Sequence, residues 1–270
     1  RRSTSGYIQE RSRSVMFLIA GYGYVGKAVR SSIVTAGKSI PLVIDPAVPE
    51  ANTWDQVDFT RIEGVIICVA TPEGADGSCD YSNVLEVLSH IPENIHVLIK
   101  STISLEAWHQ INEHYPNHKI AFSPEFLTAK NAIEDYANQD FVILSGRGIY
   151  FWRTFFNETV TTNVLMCKAE EAILTKYASN AFLAVKVGFF NHIYDLANLV
   201  GVDYNTIRRN LGHRPQIGLN HTEVTEERGW GGHCFPKDTA ALMRTAEDYK
   251  YNMEILRAAI EYNNKIRKGE

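Results

Sequence analysis

The chain has 270 residues, 45% of them hydrophobic, which is enough apolar material for a well-buried core in one or two domains. Its formal net charge of −4 argues against a nucleic-acid-binding protein, because such proteins carry an excess of basic side chains. No apolar run approaches the roughly 20 residues that a membrane-spanning helix requires, so no membrane partner is expected.

The first fifteen residues differ from the rest of the chain. They are polar, rich in Arg and Ser, and lack the apolar stretch of a signal peptide. Met16 opens the first predicted strand and is a plausible natural start. We interpret residues 1–15 as a cloning remnant or a disordered arm and leave them out of the fold argument.

Residues 16 to about 166 alternate short apolar runs with amphipathic helical patterns. Helices are predicted over 25–35, 83–89 and 105–114. Strand–helix alternation of this kind predicts an α/β fold, a Rossmann-like doubly wound parallel sheet with helices on both faces. The runs rich in Val and Ile predict buried strands over 15–20, 40–44, 65–70, 95–99, 120–122 and 141–144.

After about residue 167 the pattern is almost entirely helical. Apolar residues recur at helical spacing from 171 to 200, which predicts one helix about 45 Å long that stops at Gly201. Further helices are predicted over 203–211, 237–249 and 252–268. A helix this long and this broadly apolar is expected to bury its extra face in another subunit. We therefore predict an all-helical dimerisation domain over residues 167–270 and a homodimer formed through the long helix.

The turn Gly21-Tyr-Gly-Tyr-Val-Gly26 follows the first predicted strand and opens the first predicted helix. Its glycines allow a tight turn and let a pyrophosphate approach the helix N-terminus closely. Asp45 ends the second predicted strand, where a carboxylate can bind both ribose hydroxyls and repel a 2′-phosphate, so NAD is favoured over NADP. A turn former before Pro46 is the alternative reading of Asp45. The candidate cofactor contacts in this region are Gly21, Gly23, Tyr24, Val25, Gly26, Asp45 and Thr71.

The segment Gly229-Trp-Gly-Gly-His-Cys-Phe-Pro-Lys-Asp238 places a cysteine after flexible glycines and just before a predicted helix start. Pro236 suits a first helical turn, because its missing N–H costs nothing there. The partial positive charge of the helix N-terminus would favour a thiolate at Cys234, as a covalent nucleophile requires. From this segment alone, a small buried hydrophobic role for Cys234 is equally well supported.

The remaining cysteines are Cys68, Cys79 and Cys167, and the four show neither a Cys-x-x-Cys pair nor a zinc-type spacing. We therefore expect no disulfide framework and no bound metal, and we interpret the chain as a reduced, cytoplasmic protein. Cys68 lies in an apolar strand-like run and is expected in the core. No specific role is assigned to Cys79 or Cys167.

Taken together, these segments resemble the UDP-glucose/GDP-mannose dehydrogenase family over residues 16–268. The resemblance implies a four-electron oxidation, in which two NAD convert the primary alcohol of a sugar nucleotide to a uronic acid. The motifs are most similar to members that convert UDP-glucose to UDP-glucuronate, although Gly232-His-Cys234 is similar to the UDP-N-acetylmannosamine branch. The resemblance rests on six collinear motifs, namely GYGYVG (21–26), CVATPEGADGSCD (68–80), KST (100–102), SPEFL (123–127), KYASNAFLA (176–184) and GWGGHCFPKD (229–238).

The resemblance also assigns roles to individual residues. Lys176 and Asn180 share a helix face and would hold the reacting oxygen, while Cys234 would attack the aldehyde to give a thiohemiacetal and then a thioester. Glu125 would serve the hydrolysis, and Thr102 and Asp238 would handle water and protons. The other contacts implied are Phe126, Leu127, Lys176, Asn180 and Gly231 for the substrate, and Thr102 and Lys237 for the cofactor.

Without the resemblance, the same residues have ordinary readings. Lys176 and Asn180 would lie on a solvated helix face, and Glu125 and Asp238 would be loop and helix-cap carboxylates. Two other functions also stay open. One is a single-step hydroxy-acid dehydrogenase, a related class with a Lys-x-x-x-Asn helix and no need for Cys234. The other is a degenerate NAD-binding dimer without catalysis.

The chain departs from the family pattern at three points. Ala129 stands where the family has a second glutamate, and Gln216 stands where it has an arginine, for which Arg214 is a candidate substitute. Full-length relatives continue into a second doubly wound domain that grips the nucleotide, whereas this chain stops at Glu270. We expect either a truncated chain or a naturally short protein that lacks this C-terminal domain.

Overall fold

The structure, a computed structural model, describes residues 16–74, 78–160, 162–232 and 234–267. The predicted N-terminal arm, the strand start at 15, residues 75–77 of the third-strand motif, His233 and the helix end at 268 lie outside these residues. The described chain divides into two compact units. The first comprises 16–70, 84–101 and 115–166, and the second comprises 71–83, 102–114 and 167–267.

The first unit is built on a seven-stranded sheet in the order β2-β1-β3-β4-β5-β6-β7. Strand order reverses at β1, which lies between β2 and β3, and such a switch point opens a ligand crevice at the carboxyl ends of the strands. The strands are β1 Met16–Ala20, β2 Leu42–Ile44, β3 Ile62–Ile67, β4 His96–Ile99, β5 Lys119–Phe122, β6 Phe141–Gly146 and β7 Asn163–Met166. The helices of this unit are α1 Tyr24–Thr35, α2 Ser82–Ser89, α4 Ala132–Ala137 and α5 Ile149–Thr159.

The predicted parallel sheet has one exception, at β6. The first five strands pair in parallel, but β6 runs antiparallel to β5, with Phe122 opposite Ser145. The reason is the connection 123–140, which holds only the six-residue α4 and brings the chain back from the carboxyl end of β5 without crossing the sheet. After α5, β7 pairs in parallel with β6. The Rossmann-like α/β class is confirmed.

The core beneath the sheet is dominated by aromatic side chains of α5. Trp152 is fully buried, and its Nε1 donates a hydrogen bond to the carbonyl oxygen of Val97, 3.1 Å away. Phe155 packs edge-on against Phe17 of β1. The indole lies over Gly64 of β3, where an added Cβ would come within 2.8 Å of the ring. Because Gly64 has no side chain, the indole of Trp152 fits against the middle of this buried strand.

The second unit is helical, and its long helix runs two residues further at the N-terminus than predicted. That helix, α6, spans Ala169–Val200, and the Glu171 carboxylate accepts a hydrogen bond from the Lys168 backbone N–H at its start. It ends at Gly201, which has the left-handed φ of 79° expected of a helix stop. The other helices of this unit are α3 Leu105–His114, α7 Tyr204–Gly212, α8 Cys234–Asp248 and α9 Glu254–Arg267.

Helix α8 begins at Cys234, three residues before the predicted start. A proline inside the first turn is compatible with this, because the N–H groups of a first turn have no partner within the helix. Within the described residues, none of the helices combines the length and the apolar composition that crossing a bilayer demands.

Candidate active site

Two glycines of the turn between β1 and α1 pack directly against backbone atoms and leave no room for a side chain. Gly21 has a φ of 92°, and a Cβ there would lie 2.5 Å from the carbonyl carbon of Cys68. A Cβ on Gly26 would lie 2.1 Å from the Gly21 oxygen. Both positions therefore require glycine, one to join the ends of β1 and β3 and the other to seat α1 on the turn.

Gly23, the middle glycine of the turn, lies instead beside open space. A Cβ on Gly23 would meet no atom within 4 Å, and no side chain caps the N-terminus of α1 at this residue. The first turn of α1, which starts at Tyr24, also carries no acidic side chain. Exposed helix N–H groups beside open space fit a pyrophosphate, which is the group that the sequence predicts here.

Asp45 is fixed at the carboxyl end of β2. One of its carboxylate oxygens accepts a hydrogen bond from the Tyr22 N–H at 2.6 Å, and the other accepts one from Ala47 N–H at 2.8 Å. The carboxylate is half-buried beside the turn, which suits a contact to ribose hydroxyls. Its hydrogen bond from Ala47 N–H also stabilises the turn after β2, so a role as a turn former is compatible with a role as a ribose contact. The residues of the first unit thus fit a dinucleotide.

The first unit also contains a buried ion pair that the sequence reading missed. The Lys100 ammonium contacts the Glu125 carboxylate, and the two side chains are 1% and 8% exposed. Lys100 donates a further hydrogen bond to the Ser123 hydroxyl at 3.1 Å and lies over the ring of Phe156. Burial lowers the pKa of Lys100 to about 7. The sequence did contain a signal for this pair: Lys100 directly follows a buried strand, and a charge in such a place needs a partner of opposite charge.

Phe126 and Leu127, the predicted substrate contacts that follow Glu125, line a cavity of about 490 Å³ in the same unit. Glu134 and Asp135 share its lining. Carboxylates repel a diphosphate but accept hydrogen bonds from hydroxyl groups, so this lining favours a group rich in hydroxyls over phosphates. Ala129, where the family pattern has a glutamate, is exposed, as are Arg214 and Gln216.

The second unit gathers the remaining predicted groups around one carboxylate. Asp238 of α8 is 1% exposed at its side chain and accepts hydrogen bonds from Asn180 at 2.5 Å and from Lys237 at 2.8 Å. The Lys176 ammonium lies 4.0 Å from the same carboxylate. Lys176 and Asn180 are both buried, so the reading of a solvated helix face is wrong for them. The group that they face is the Asp238 carboxylate of α8, not water.

Burial lowers the pKa of Lys176, and the nearby charges of Asp238 and Cys234 oppose that effect. Cys234 is half-buried and is the first residue of α8, so its thiol lies at a helix N-terminus within electrostatic reach of Lys176. A thiol, an ammonium and an amide are therefore collected in one unit. The ammonium and the amide can donate hydrogen bonds to an oxygen that gains negative charge near the sulfur.

Cys79 of the second unit lies near the same carboxylate and contacts two predicted site residues, Thr71 and Thr102. Cys79 is buried, donates a hydrogen bond to the carbonyl oxygen of Thr102 at 3.3 Å, and lies within electrostatic range of Lys237 and Asp238. Burial raises the pKa of Cys79. Thr71 is buried and hydrogen-bonds to Cys79. The sequence assigned no role to Cys79, and no local pattern marks it, because only the fold brings this residue near Lys237 and Asp238.

Two family models match the chain. The NAD binding domain of the UDP-glucose/GDP-mannose dehydrogenase family matches residues 50–148, and the central domain of that family matches residues 170–265. The chain belongs to the UDP-glucose/GDP-mannose dehydrogenase family. The predictions of the family and of NAD as the cofactor are therefore confirmed. The assignment of the glycine turn and Asp45 to NAD binding stays a prediction.

Individual members of the UDP-glucose/GDP-mannose dehydrogenase family agree with this assignment. UDP-glucose 6-dehydrogenase from Pseudomonas aeruginosa is 30% identical over 294 residues, covering 89% of this chain and 63% of that protein. The enzyme of the same name from Rickettsia typhi is 32% identical over 225 residues, covering 78% and 51%. The solved structure of a UDP-glucose dehydrogenase from Pyrobaculum islandicum superimposes with a TM-score of 0.77 at 26% identity, covering 96% and 70%. The chain thus spans about half to two thirds of the length of these curated relatives.

The open space at Gly23 gives a sharp test of the cofactor site. Gly23→Ala should fold with unchanged stability, because the added methyl meets nothing, yet it should weaken NAD binding at least about tenfold, since that methyl occupies the space a pyrophosphate needs. Calorimetric NAD titration and thermal unfolding measure the two effects. Gly188→Ala in α6 is the control: it should leave NAD affinity unchanged and raise stability by at most about 1 kcal/mol, because alanine favours a helix interior over glycine. An unchanged NAD affinity in Gly23→Ala would contradict this site.

The buried pair of the first unit gives a test of stability. Lys100→Met should lower the free energy of unfolding by about 3–5 kcal/mol, because it leaves the Glu125 carboxylate buried without its cation. The double variant Lys100→Met/Glu125→Gln should recover most of that loss, since no charge then remains to be paired. Urea denaturation of wild type, both single variants and the double variant closes the cycle. Additive losses would show that the pair is not coupled.

Proposed function

We propose that this protein carries out the NAD-dependent four-electron oxidation of the primary alcohol of a sugar nucleotide, with UDP-glucose as the substrate and UDP-glucuronate as the product. The observation that carries the proposal is the buried group of Lys176, Asn180 and Asp238 beside Cys234. A one-step alcohol oxidation has no use for the thiol. A sulfur in reach of an oxyanion-binding ammonium is what a second oxidation at the same carbon requires.

The first oxidation converts the alcohol to an aldehyde, and NAD, when bound, supplies the hydride acceptor for both oxidations. Lys176 and Asn180 donate hydrogen bonds to the substrate oxygen and stabilise its negative charge as the hydroxyl proton leaves. Since burial lowers the pKa of Lys176, this lysine exchanges a proton near neutral pH more readily than an exposed lysine. Asp238 fixes the amide of Asn180 and balances the charge of Lys176.

The covalent stage begins when the Cys234 sulfur adds to the aldehyde carbon. A C–S bond forms and the carbonyl π pair moves to oxygen, giving a thiohemiacetal whose oxygen is held by Lys176 and Asn180. The second oxidation restores the C=O bond and leaves a thioester. Covalent attachment retains the reactive aldehyde between the two oxidations, which is the physical reason for using a thiol.

Hydrolysis releases the acid. A water adds to the thioester carbon, the C–S bond breaks, and the thiolate of Cys234 is regenerated. We assign Glu125 as the carboxylate that takes the proton from this water, with Lys100 as the cation that balances it. Thr102 and Asp238 complete the water and proton path. Overall, one alcohol, one water and two NAD give one carboxylic acid, two NADH and two protons.

We further propose that the protein acts as a homodimer through α6. Phe182, Phe189 and Leu196 are 67%, 56% and 56% exposed, and their spacing of seven residues places them on one helix face. Leu199 and Val200 continue the exposed apolar surface at the helix end. A stripe of this kind on a monomer marks an interaction surface, and a second copy of the same helix is its complement.

Counting NADH per substrate tests the reaction. The wild-type protein with UDP-glucose should form two NADH per substrate, whereas Cys234→Ser should form no more than one and no acid, because an alcohol oxygen cannot form the thioester. Spectrophotometry and mass analysis of the product provide the readout. A single NADH from the wild type, with activity retained in Cys234→Ala, would contradict the proposal and favour a one-step dehydrogenase, the reaction type of the hydroxy-acid alternative.

Substrate binding gives a second test of the proposed reaction. UDP-glucose, UDP-N-acetylmannosamine and GDP-mannose are titrated into the NAD-loaded protein by calorimetry. The proposal expects UDP-glucose to bind most tightly. Binding of NAD with none of the three sugar nucleotides at millimolar concentration would leave an NAD-binding dimer without this catalysis.

The assembly is tested on the exposed stripe. Phe189→Asp should convert the dimer to a monomer in sedimentation experiments, while changing the stability of the monomer by no more than about 0.5 kcal/mol, because Phe189 is a surface residue there. Tyr150→Asp is the control, an exposed aromatic residue on α5 that lies outside the stripe, and should stay dimeric. A monomeric wild type, or a dimer in Phe189→Asp, would exclude this interface.

A further inference from the structure

The segment 228–231, named here the cysteine loop, leads into α8 and is bound to a side chain of α9. Asn263 of α9 is 3% exposed. Its Oδ1 accepts a hydrogen bond from the Trp230 N–H at 2.7 Å, and its Nδ2 donates one to the Trp230 carbonyl oxygen at 3.0 Å. One amide side chain thus satisfies both backbone groups of one loop residue, as a neighbouring strand would. Among side chains of this length, only asparagine carries both the donor and the acceptor.

The glycines on either side of Trp230 let α9 approach this closely. Gly229 has a φ of 55°, and a Cβ there would lie 2.2 Å from the Oδ1 of Asn263. A Cβ on Gly231 would lie 3.0 Å from the guanidinium of Arg267, which itself donates a hydrogen bond to the Arg228 carbonyl oxygen at 3.1 Å. Gly229 and Gly231 therefore make the loop flexible and also leave room for the side chains of α9 to contact its backbone.

Helix α6 holds the other side of the cysteine loop. Asn191, 1% exposed, accepts hydrogen bonds at its Oδ1 from the Gly229 N–H at 3.1 Å and from the Arg228 guanidinium at 2.9 Å. The Trp230 side chain packs in a cluster with Ala184 and Val187 of the same helix. A glycine-rich loop that would otherwise be mobile is fixed between two helices, four residues before the thiol.

We propose that Asn263 is a positioning residue for Cys234, which sets the place of the reactive sulfur through the backbone of Trp230. The proposal rests on the function proposed above and adds a residue to it. Covalent chemistry requires the sulfur near its bond-forming distance from the carbonyl carbon, and a displacement of about 1 Å can cost about a hundredfold in rate. A loop held only by its own flexible backbone does not give that precision.

The kinetic test compares Asn263→Ala with Leu256→Ala, a buried residue on the same helix, at a temperature where both variants are folded. Asn263→Ala should lower kcat for UDP-glucose by about tenfold to a hundredfold, with the KM for NAD unchanged. Leu256→Ala should keep the wild-type kcat. Asn263→Asp keeps the acceptor for the Trp230 N–H and should fall between wild type and alanine. Equal losses of kcat in Asn263→Ala and Leu256→Ala would reduce Asn263 to a structural role.

A second readout does not depend on turnover. Hydrogen–deuterium exchange at residues 229–235 should be faster in Asn263→Ala than in wild type or Leu256→Ala, and exchange at α7 should be unchanged. Alkylation of Cys234 by iodoacetamide, relative to the half-buried Cys167, should change in the same variant alone. If the wild type does not oxidise UDP-glucose, the proposed function fails, while these two measurements still decide the positioning. Unchanged exchange and an unchanged alkylation ratio in Asn263→Ala would overturn it.

Discussion

The chemistry of the second unit depends on the burial of one carboxylate. Asp238 is removed from water and is surrounded by the ammonium groups of Lys176 and Lys237 and by the amide of Asn180. A buried charge without partners costs several kcal/mol, so the fold has to bring these groups to it. In doing so it fixes a cation and an amide one helical turn apart on α6, next to the first residue of α8. The contacts that neutralise Asp238 therefore also set the arrangement of the candidate catalytic groups.

The first unit solves a similar problem with a separate pair. Lys100 and Glu125 follow the neighbouring strands β4 and β5, so both emerge at the carboxyl edge of the sheet, where each strand ends. The hydroxyl of Ser123 and the ring of Phe156 complete the surroundings of the ammonium. Among the described residues, the Lys100–Glu125 pair is therefore neutralised within the first unit, and Asp238 is neutralised within the second.

Much of this arrangement could be predicted from the sequence. Strands rich in Val and Ile, the glycine turn and the long apolar stripe are local patterns, and the stop at Gly201 was predicted to the residue. The antiparallel β6 could not be predicted, because a short apolar run carries no direction. The start of α8 at Cys234 was missed because the glycines before it and Pro236 after it obscure the helical period.

The predicted site residues came from motifs, whereas their partners came only from the fold. Asn191 and Asn263 interrupt helix faces that are otherwise apolar, and such an interruption indicates a hydrogen bond without indicating to what. Lys100 gave the same kind of signal after β4. Cys79 gave none, since its surroundings are assembled from segments far apart in the chain. Sequence patterns therefore indicated the candidate groups, and tertiary contacts showed which residues surround them.

The fit between Gly64 and Trp152 has a consequence for the evolution of the chain. The indole occupies the volume that any side chain at position 64 would need, and it also donates a hydrogen bond to β4. A methyl group added at 64 alone, or a smaller residue at 152 alone, leaves either a collision or a hole. The two positions are therefore expected to covary, with the glycine retained in lineages that keep the tryptophan and released in those that lose it.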